Sequence, residues 1–337
     1  MNTIVAEYVW IGGEGELRSK SKTLNIKNDY TIKDLPNWNY DGSSTKQATT
    51  DNSEIILKPC YMCPCPFRLH NNILVLCDTY DIYNNPIKTN TRFDANNIFN
   101  LDLEKKPWYG IEQEYFIIDN NTNKPYGFDE NNEQGQYYCS IGSKNAFCRN
   151  IAEKHYNCCL YSGLSISGIN AEVAPGQWEY QIGPVEGILA GDQLCISRYI
   201  LIRLSEEINV TINFEPKPLK GKWNGSGCHV NFSTELTRNG TDDKSGLCYI
   251  IEYIDKLELK HNFHMNNYGS GNEQRMTGDN ETSSFDKFSW GTGNRSASIR
   301  IPTETKYNEC GYFEDRRPSS NMDPYVVTSL IFKTIHL

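Results

Sequence analysis

What this chain lacks narrows its chemistry first. No apolar run is long enough to cross a bilayer: Tyr199-Ile200-Leu201-Ile202 is broken at once by Arg203, and a spanning helix needs about 20 apolar residues. Positive charge is not in excess, with 33 Lys and Arg against 42 Asp and Glu and a formal charge of -9. Binding to a phosphate backbone needs a basic surface, so nucleic acid is an unsuitable partner. Neither a G-x-x-x-x-G-K-[ST] loop nor a G-x-G-x-x-G turn occurs, so a nucleotide would be held by another architecture. The N-terminus, MNTIVAEYVW, has neither the basic nor the apolar region of a secretory signal, and the expectation is a cytoplasmic protein. The sequons at Asn224, Asn231, Asn280 and Asn294 then have no route to glycosylation.

Cysteine, by contrast, is plentiful at twelve residues. Cys60, Cys63 and Cys65, in CYMCPC, resemble half a zinc site, but no second Cys/His pair stands nearby at ligand spacing. Reduced, partly buried thiols are the simpler reading, for Cys158 and Cys159 as well. A chain of 337 residues with 38% hydrophobic and 12% aromatic content can bury a large core.

The first part of the chain reads as strands and turns. VAEYVWI is followed by the turn Gly12-Gly13-Glu14-Gly15, a polar strand near Leu17 to Lys22, and a buried-type run from Asn72 to Asp78. A linking helix is expected near Arg92 to Asn100. Later, apolar residues at helical spacing predict helices over about Asn145–Gly163 and Gly187–Asn209, the second with Leu189, Leu194, Ile196, Ile200, Leu201 and Leu204 inward. The resulting expectation is an α+β protein: a small β-rich domain, then a larger α+β domain.

Between these elements lies the chemistry. Glu112 and Glu114 sit two apart in WYGIEQEYF, a stretch of strand character, so both point to one face. Two acids there repel and lose hydration unless a cation lies between them. An isolated E-x-E is more often a solvated strand face; its company overturns that. Glu172 precedes and Glu179 follows the Pro175-Gly176 turn, which can return both acids to one place. His229 follows a glycine-rich bend, and Glu314 stands before Arg316 and Arg317. Five glutamates and one histidine suit a hard cation such as Mg²⁺ or Mn²⁺ better than zinc. Arg275, Arg295, Arg300, Arg316 and Arg317 gather late in the chain. Guanidinium groups bind phosphate and carboxylate, and with divalent metal they point to phosphoryl transfer.

The segments LPNWNYDGSST, PWYGIEQEY, NAEVAPGQWEYQIGP, NGSGCHVNFST, NRSASIRIP and GYFEDRRPSSNMDP resemble the signatures of eukaryotic-type (class II) glutamine synthetase, in that family's order and over nearly the whole chain. The resemblance implies the glutamine synthetase fold: an N-terminal β-grasp domain at residues 2–84, then a catalytic domain at 91–337 with a curved antiparallel sheet and flanking helices. It implies ATP-dependent ligation of ammonia to glutamate through γ-glutamyl phosphate. It also implies two or three Mg²⁺ or Mn²⁺ ions per site and a homo-oligomer, a decamer of two pentameric rings.

Residue by residue, the resemblance implies that Glu114, Glu172 and Glu179 hold the metal nearer glutamate and ammonia. Glu112, His229 and Glu314 hold the one at the ATP phosphates. Arg295 and Arg300 stabilise the transferring phosphoryl group. Arg275 and Arg316 clamp glutamate carboxylates, in a pocket lined by Trp223, Asn224 and Gly225. Asn231, Phe232, Ser233, Tyr312 and Phe313 contact the nucleotide. Asp41 helps deprotonate ammonium, supported by Ser44, in a neighbouring subunit's site. Glu281 is the flap residue that closes over the acyl phosphate. The flap departs from the family in reading GDNETS, where a Phe-His or similar pair more often precedes the glutamate; CYMCPC replaces a cysteine-poor stretch. A relative that ligates another amine would lack Asp41 or Glu281, and a silent structural member would lack metal ligands; all are present.

Overall fold

Two β-sheets built from successive parts of the chain share one core. The computed structural model describes residues 2–279 and 282–337. The first sheet comprises β1 (Asn2–Ile11), β2 (Leu17–Ile26), β3 (Trp38–Asp41), β4 (Glu54–Pro64) and β5 (Ile73–Tyr80), in the order β2-β1-β5-β4-β3. β1 and β5 run parallel and the other neighbours antiparallel. Alternation sorts its side chains. Ile4, Ala6, Tyr8 and Trp10 pack with Leu57, Val75 and Cys77 on one side. Val9, Leu74, Leu76, Cys63 and Cys65 turn to the other side and join the main core. CYMCPC is thus β-strand: the register with β5 shifts between Pro59 and Tyr61, leaving Cys60 as the extra residue of a bulge. All twelve cysteines are free thiols.

After α1 (Thr91–Phe99), capped by the Asn90 side chain accepting from the Phe93 N–H, the second sheet begins. Its strands and helices follow as β6 (Trp108–Asp119), β7 (Lys124–Pro125), α2 (Arg149–Tyr161), β8 (Ile166–Ala171), β9 (Gln177–Glu186) and α3 (Ile188–Glu206). Then come β10 (Val210–Asn213), β11 (Cys228–Ser233), α4 (Glu235–Asn239), α5 (Gly246–Leu259) and α6 (His261–Met265). The chain ends with β12 (Trp290–Thr292), β13 (Ile299–Ile301), α7 (Thr303–Asn308), β14 (Phe313–Asp315) and α8 (Pro324–His336). The order is β12-β13-β14-β11-β6-β9-β8, with β7 and β10 on the far half of β6. The fold class is the α+β expected.

α2 starts later than its apolar spacing predicts, because Cys148 has a left-handed backbone (φ +59°) that cannot lie inside a helix. α3 ends at Glu206, three residues short of Asn209, whose φ is +54°. Leu194, Ile196, Ile200, Leu201 and Leu204 are buried as expected, whereas Leu189 is exposed.

One polar joint ties the two sheets together. The Arg92 guanidinium donates to both carboxylate oxygens of Asp192 on α3 (2.7 and 2.9 Å) and to Asp78 on β5 (3.3 Å). Tyr325 on α8 donates to the same Asp192 at 2.7 Å. Asp192 is fully buried, so removing its cation leaves a stranded charge. Arg92→Ala should therefore cost about 3–5 kcal/mol of stability, and Arg92→Lys less, since it keeps the charge without the fork. Denaturant unfolding of both variants checks this; equal midpoints for Arg92→Ala and the unaltered protein would dismiss the joint.

Candidate active site

Strand register brings the acidic residues together. His229 on β11 lies opposite Glu112 on β6, Glu179 on β9 lies opposite Glu114, and Asn170 on β8 lies opposite Glu179. On the other side, Glu314 on β14 lies between Asn231 on β11 and Arg300 on β13. Directly paired residues of an antiparallel ladder share a face, so these side chains line one side of the sheet. The intervening residues, among them Ile111, Val230, Trp178 and Phe313, fill the core behind it.

The ligating atoms of Glu112, His229 and Glu314 lie within 4.8 Å of one another. The His229 Nδ1 is 3.5 Å from Glu112 and 3.4 Å from Glu314. Glu114, Glu172 and Glu179 complete the wall of the same cavity, of about 910 Å³ including space open to solvent. Each acid is aimed by a fixed donor. The Asn231 amide donates to Glu112 at 2.7 Å, and the Gly227 N–H and Gln177 amide donate to Glu114, each at 3.0 Å. Asn170 donates to Glu172 at 2.9 Å, and Gln181 donates to Glu179. Asn170, Gln177 and Gln181 were passed over in the sequence, although Gln177 and Gln181 flank Glu179 in the motif that carries it.

Crowding and burial oppose ionisation here. Burial pushes the Glu114 carboxyl up to about 7 and the Glu172 carboxyl up to about 8, with Glu112 and Glu114 respectively adding repulsion. Burial, then Glu112, Glu172 and Glu114, raises Glu179 well above the carboxylate range. His229 is held well below its ordinary value by burial and then by Arg316, so its imidazole is neutral and able to ligate. Hard oxygen donors with one neutral imidazole fit a divalent cation of the Mg²⁺ or Mn²⁺ type.

Arg275, Arg295, Arg300 and Arg316 border the same cavity. Arg300 and Arg316 both pair with Glu314, at 2.5 and 2.7 Å. Arg275 is buried and rigidly held: its Nε donates to Asn272, and its Nη2 donates to the carbonyls of Arg316, Arg317 and Pro318. Close approach explains the glycine bend. A Cβ on Gly225 would lie 2.4 Å from Arg275 Cγ, and one on Gly227 would lie 2.8 Å from His229 Nε2. Arg317 stands apart, fully buried behind β14 on Asp315.

A second cavity, of about 1100 Å³ including open space, is lined by Asn231, Phe232, Ser233 and Tyr312 among others. Glu112 belongs to the walls of both cavities. Trp108 and Arg238, not foreseen from the sequence, also line the second, with the guanidinium 3.9 Å from the indole ring centre.

Not every expected residue arrives. Asn224 and Gly225 line the acidic cavity, but Trp223 packs on Phe128 instead, ring centres 5.6 Å apart. Phe313 borders neither cavity; strand alternation turns it inward against Phe232, at 5.6 Å. Asp41 and Ser44 lie at the edge of the first sheet, exposed and outside both cavities of their own chain. Glu281 lies outside the described residues.

A family model described as glutamine synthetase, catalytic domain, matches residues 97–246. Glutamine synthetase cytosolic isozyme 1-1 of Oryza sativa subsp. japonica is 51% identical over 98% of this chain and 93% of its own. The Arabidopsis thaliana cytosolic isozyme 1-3 is 51% identical over 98% and 94%. A cryo-EM structure of Plasmodium falciparum glutamine synthetase has the same fold at 18% identity, with a TM-score of 0.76 over 98% of this chain and 71% of that one. Half-identical to such proteins along nearly its whole length, the chain belongs to the glutamine synthetase family.

Proposed function

We propose that the two joined cavities ligate ammonia to the side-chain carboxylate of L-glutamate at the expense of ATP, through γ-glutamyl phosphate. The observation that carries this reading is the place of Glu112 in both walls: a nucleotide in the second cavity would lay its phosphates on the acidic cluster. A carboxylate is a poor electrophile, so a phosphoryl group is first moved onto it and ammonia then displaces phosphate. Arg275, pinned by three carbonyls, orients a glutamate carboxylate together with Arg316. Arg295 and Arg300 supply fixed positive charge where the phosphoryl group passes, which costs no reorganisation during the step. Asn231, Ser233 and Tyr312 hold the nucleotide, as does the main chain of Phe232.

Glu114, Glu172 and Glu179 would hold one Mg²⁺ or Mn²⁺ ion, and Glu112, His229 and Glu314 another. Such ions supply charge neutralisation at the phosphate oxygens. Glu281 shields the acyl phosphate from water. Asp41 accepts hydrogen bonds from the Ser43 and Ser44 hydroxyls and the Ser43 N–H, which hold its carboxyl below the ordinary range. It is therefore ionised at neutral pH and suited to draw in ammonium. Residues 2–84 and 91–337 act as two units, the first completing a neighbour's site in a ring, with two pentameric rings making the decamer. The likeness to plant cytosolic isozymes supports a cytoplasmic setting.

Phosphate release from ATP that requires both glutamate and ammonium, with glutamine as the product, tests the reaction. Glu179→Ala should abolish it while leaving the fold intact; full turnover in that variant would refute the ligand assignment.

Metal removal should reveal the crowded acids. Because Glu114 and Glu172 have folded values near 7 and 8, above the unfolded value of about 4.3, folding takes up protons. Stability of the cation-free protein is then greatest below that unfolded value and falls as pH rises through about 8. Added Mn²⁺ displaces those protons, so its stabilising effect should grow with pH. Melting temperatures in EDTA and in Mn²⁺ across this window check the sign, and a pH-independent gain from Mn²⁺ would contradict it.

A shared site makes a third test possible. Asp41→Ala and Glu179→Ala subunits, each inactive alone, should regain part of the activity when dissociated and reassembled together, because a mixed ring forms some intact sites. A fully active monomer by light scattering at assay concentration would exclude the arrangement.

A further inference from the structure

The loop that closes between Met276 and Phe285 brings Thr282 and Ser283 to the wall of the acidic cavity. At the loop's base the Phe285 N–H donates to the Met276 carbonyl at 2.9 Å, and Thr277 bridges to Ser284. The Phe285 carbonyl is held from the other side by His261, the first residue of α6, at 2.9 Å from its Nε2. The same ring meets Arg317 through its Nδ1, 3.3 Å from Nη1. His261 is buried, and its ring packs edge-on against Phe288.

Donor chemistry settles the tautomer. Arginine has no acceptor, so the Nδ1 facing Arg317 must accept, and the single ring proton lies on Nε2. That proton is the one donated to the Phe285 carbonyl. Burial and the neighbouring Arg317 charge both lower the His261 pKa, in keeping with a neutral ring. Arg317 itself does not move freely. It donates through Nε and Nη2 to Asp315 at 2.8 and 2.7 Å, and Tyr268 donates to the same carboxylate at 2.9 Å. Asp315 and Arg317 lie immediately beside Glu314 and Arg316 in sequence. One uninterrupted chain of contacts therefore runs from the metal-facing strand through Arg317 and His261 to the base of the loop.

We propose that His261 is a positioning residue that holds the Phe285 end of this loop through its bond to the Phe285 carbonyl, with Arg317 only fixing its tautomer, and thereby sets how fully the acyl phosphate is shielded from water. It does not line the acidic cavity. The inference rests on the reading of the cavity as the place where γ-glutamyl phosphate forms. Shielding decides a ratio: an acyl phosphate that meets water yields glutamate and phosphate, and one that meets ammonia yields glutamine and phosphate. A loosened loop should thus release more phosphate per glutamine made.

Two side chains separate the two links. His261→Gln places an amide N–H near the position of Nε2 and can still hold Phe285, while giving up the acceptor for Arg317. His261→Asn keeps an oxygen near the position of Nδ1 for Arg317 and cannot reach Phe285. Glutamine and phosphate are measured in the same reaction on the assembled enzyme, together with hydrogen–deuterium exchange over residues 276–288. His261→Asn should lower glutamine formed per phosphate by about two-fold or more and speed exchange in that segment; His261→Gln should preserve both. Equal losses in the two variants, or unchanged coupling in a folded His261→Asn enzyme, would overturn the positioning role. An unaltered protein that makes no glutamine at all would instead remove the functional reading, and this inference with it.

Discussion

Negative charge gathered on one face of an antiparallel sheet is the constraint that organises this molecule. Glu112 and Glu314 alone bring carboxylate oxygens within 4.8 Å. Two unit charges at that distance repel by about 3 kcal/mol at an effective dielectric near 20, more than an exposed ion pair returns. A flexible surface would spread such groups into water. Here Glu112, Glu114, Glu172 and Glu179 are each held by a fixed amide or backbone N–H donor: Asn231, Gly227 with Gln177, Asn170 and Gln181. The cluster is therefore tolerable only on a stiff backing and with cations close by, in the form of arginines or divalent metal.

The backing comes from the reverse side of the same strands. Tyr109, Ile111, Tyr115, Trp178, Tyr180, Val230 and Phe232 are almost fully buried there, against α3 and α8. One polar residue in this layer has a specific duty. Gln113 lies between Glu112 and Glu114 but faces the core, where it accepts from Arg198 at 2.8 Å and donates to the Ser320 carbonyl at 3.0 Å. It thereby locks the turn of β6 that carries both acids to the segment following Arg316 and Arg317. The cost of burying an amide is offset because its partners are in place.

Rigidity behind the sheet and adjustability in front of it serve different parts of the chemistry. The clustered acids and arginines stand on strands or beside them. Thr282 and Ser283 border the cavity from outside the sheet, and His261 joins the nearby Phe285 carbonyl to the buried Arg317–Asp315 pair. Asp41 lies at the edge of the first sheet, exposed and outside both cavities of its own chain.

Composition and local pattern were sufficient for much of this. Residue type and i, i+2 spacing marked Glu112 and Glu114 as one face of a strand, and the Pro175-Gly176 turn marked Glu172 and Glu179 as neighbours. Apolar periodicity placed α3 to within a few residues, and α1 falls where a linking helix is expected, because those signals are local and a helix or strand answers to its own residues. Helix ends were missed where a single backbone angle decided them, as at Cys148 and Asn209. Phe313 could not be placed beside Phe232 rather than in a cavity, nor Trp223 on Phe128, since inward or outward depends on register with strands distant in the chain. The bond from Gln177 to Glu114 and the His261 link were equally hidden. A hydrogen bond between residues far apart in sequence leaves no local trace, and only the packed sheet brings its two ends together.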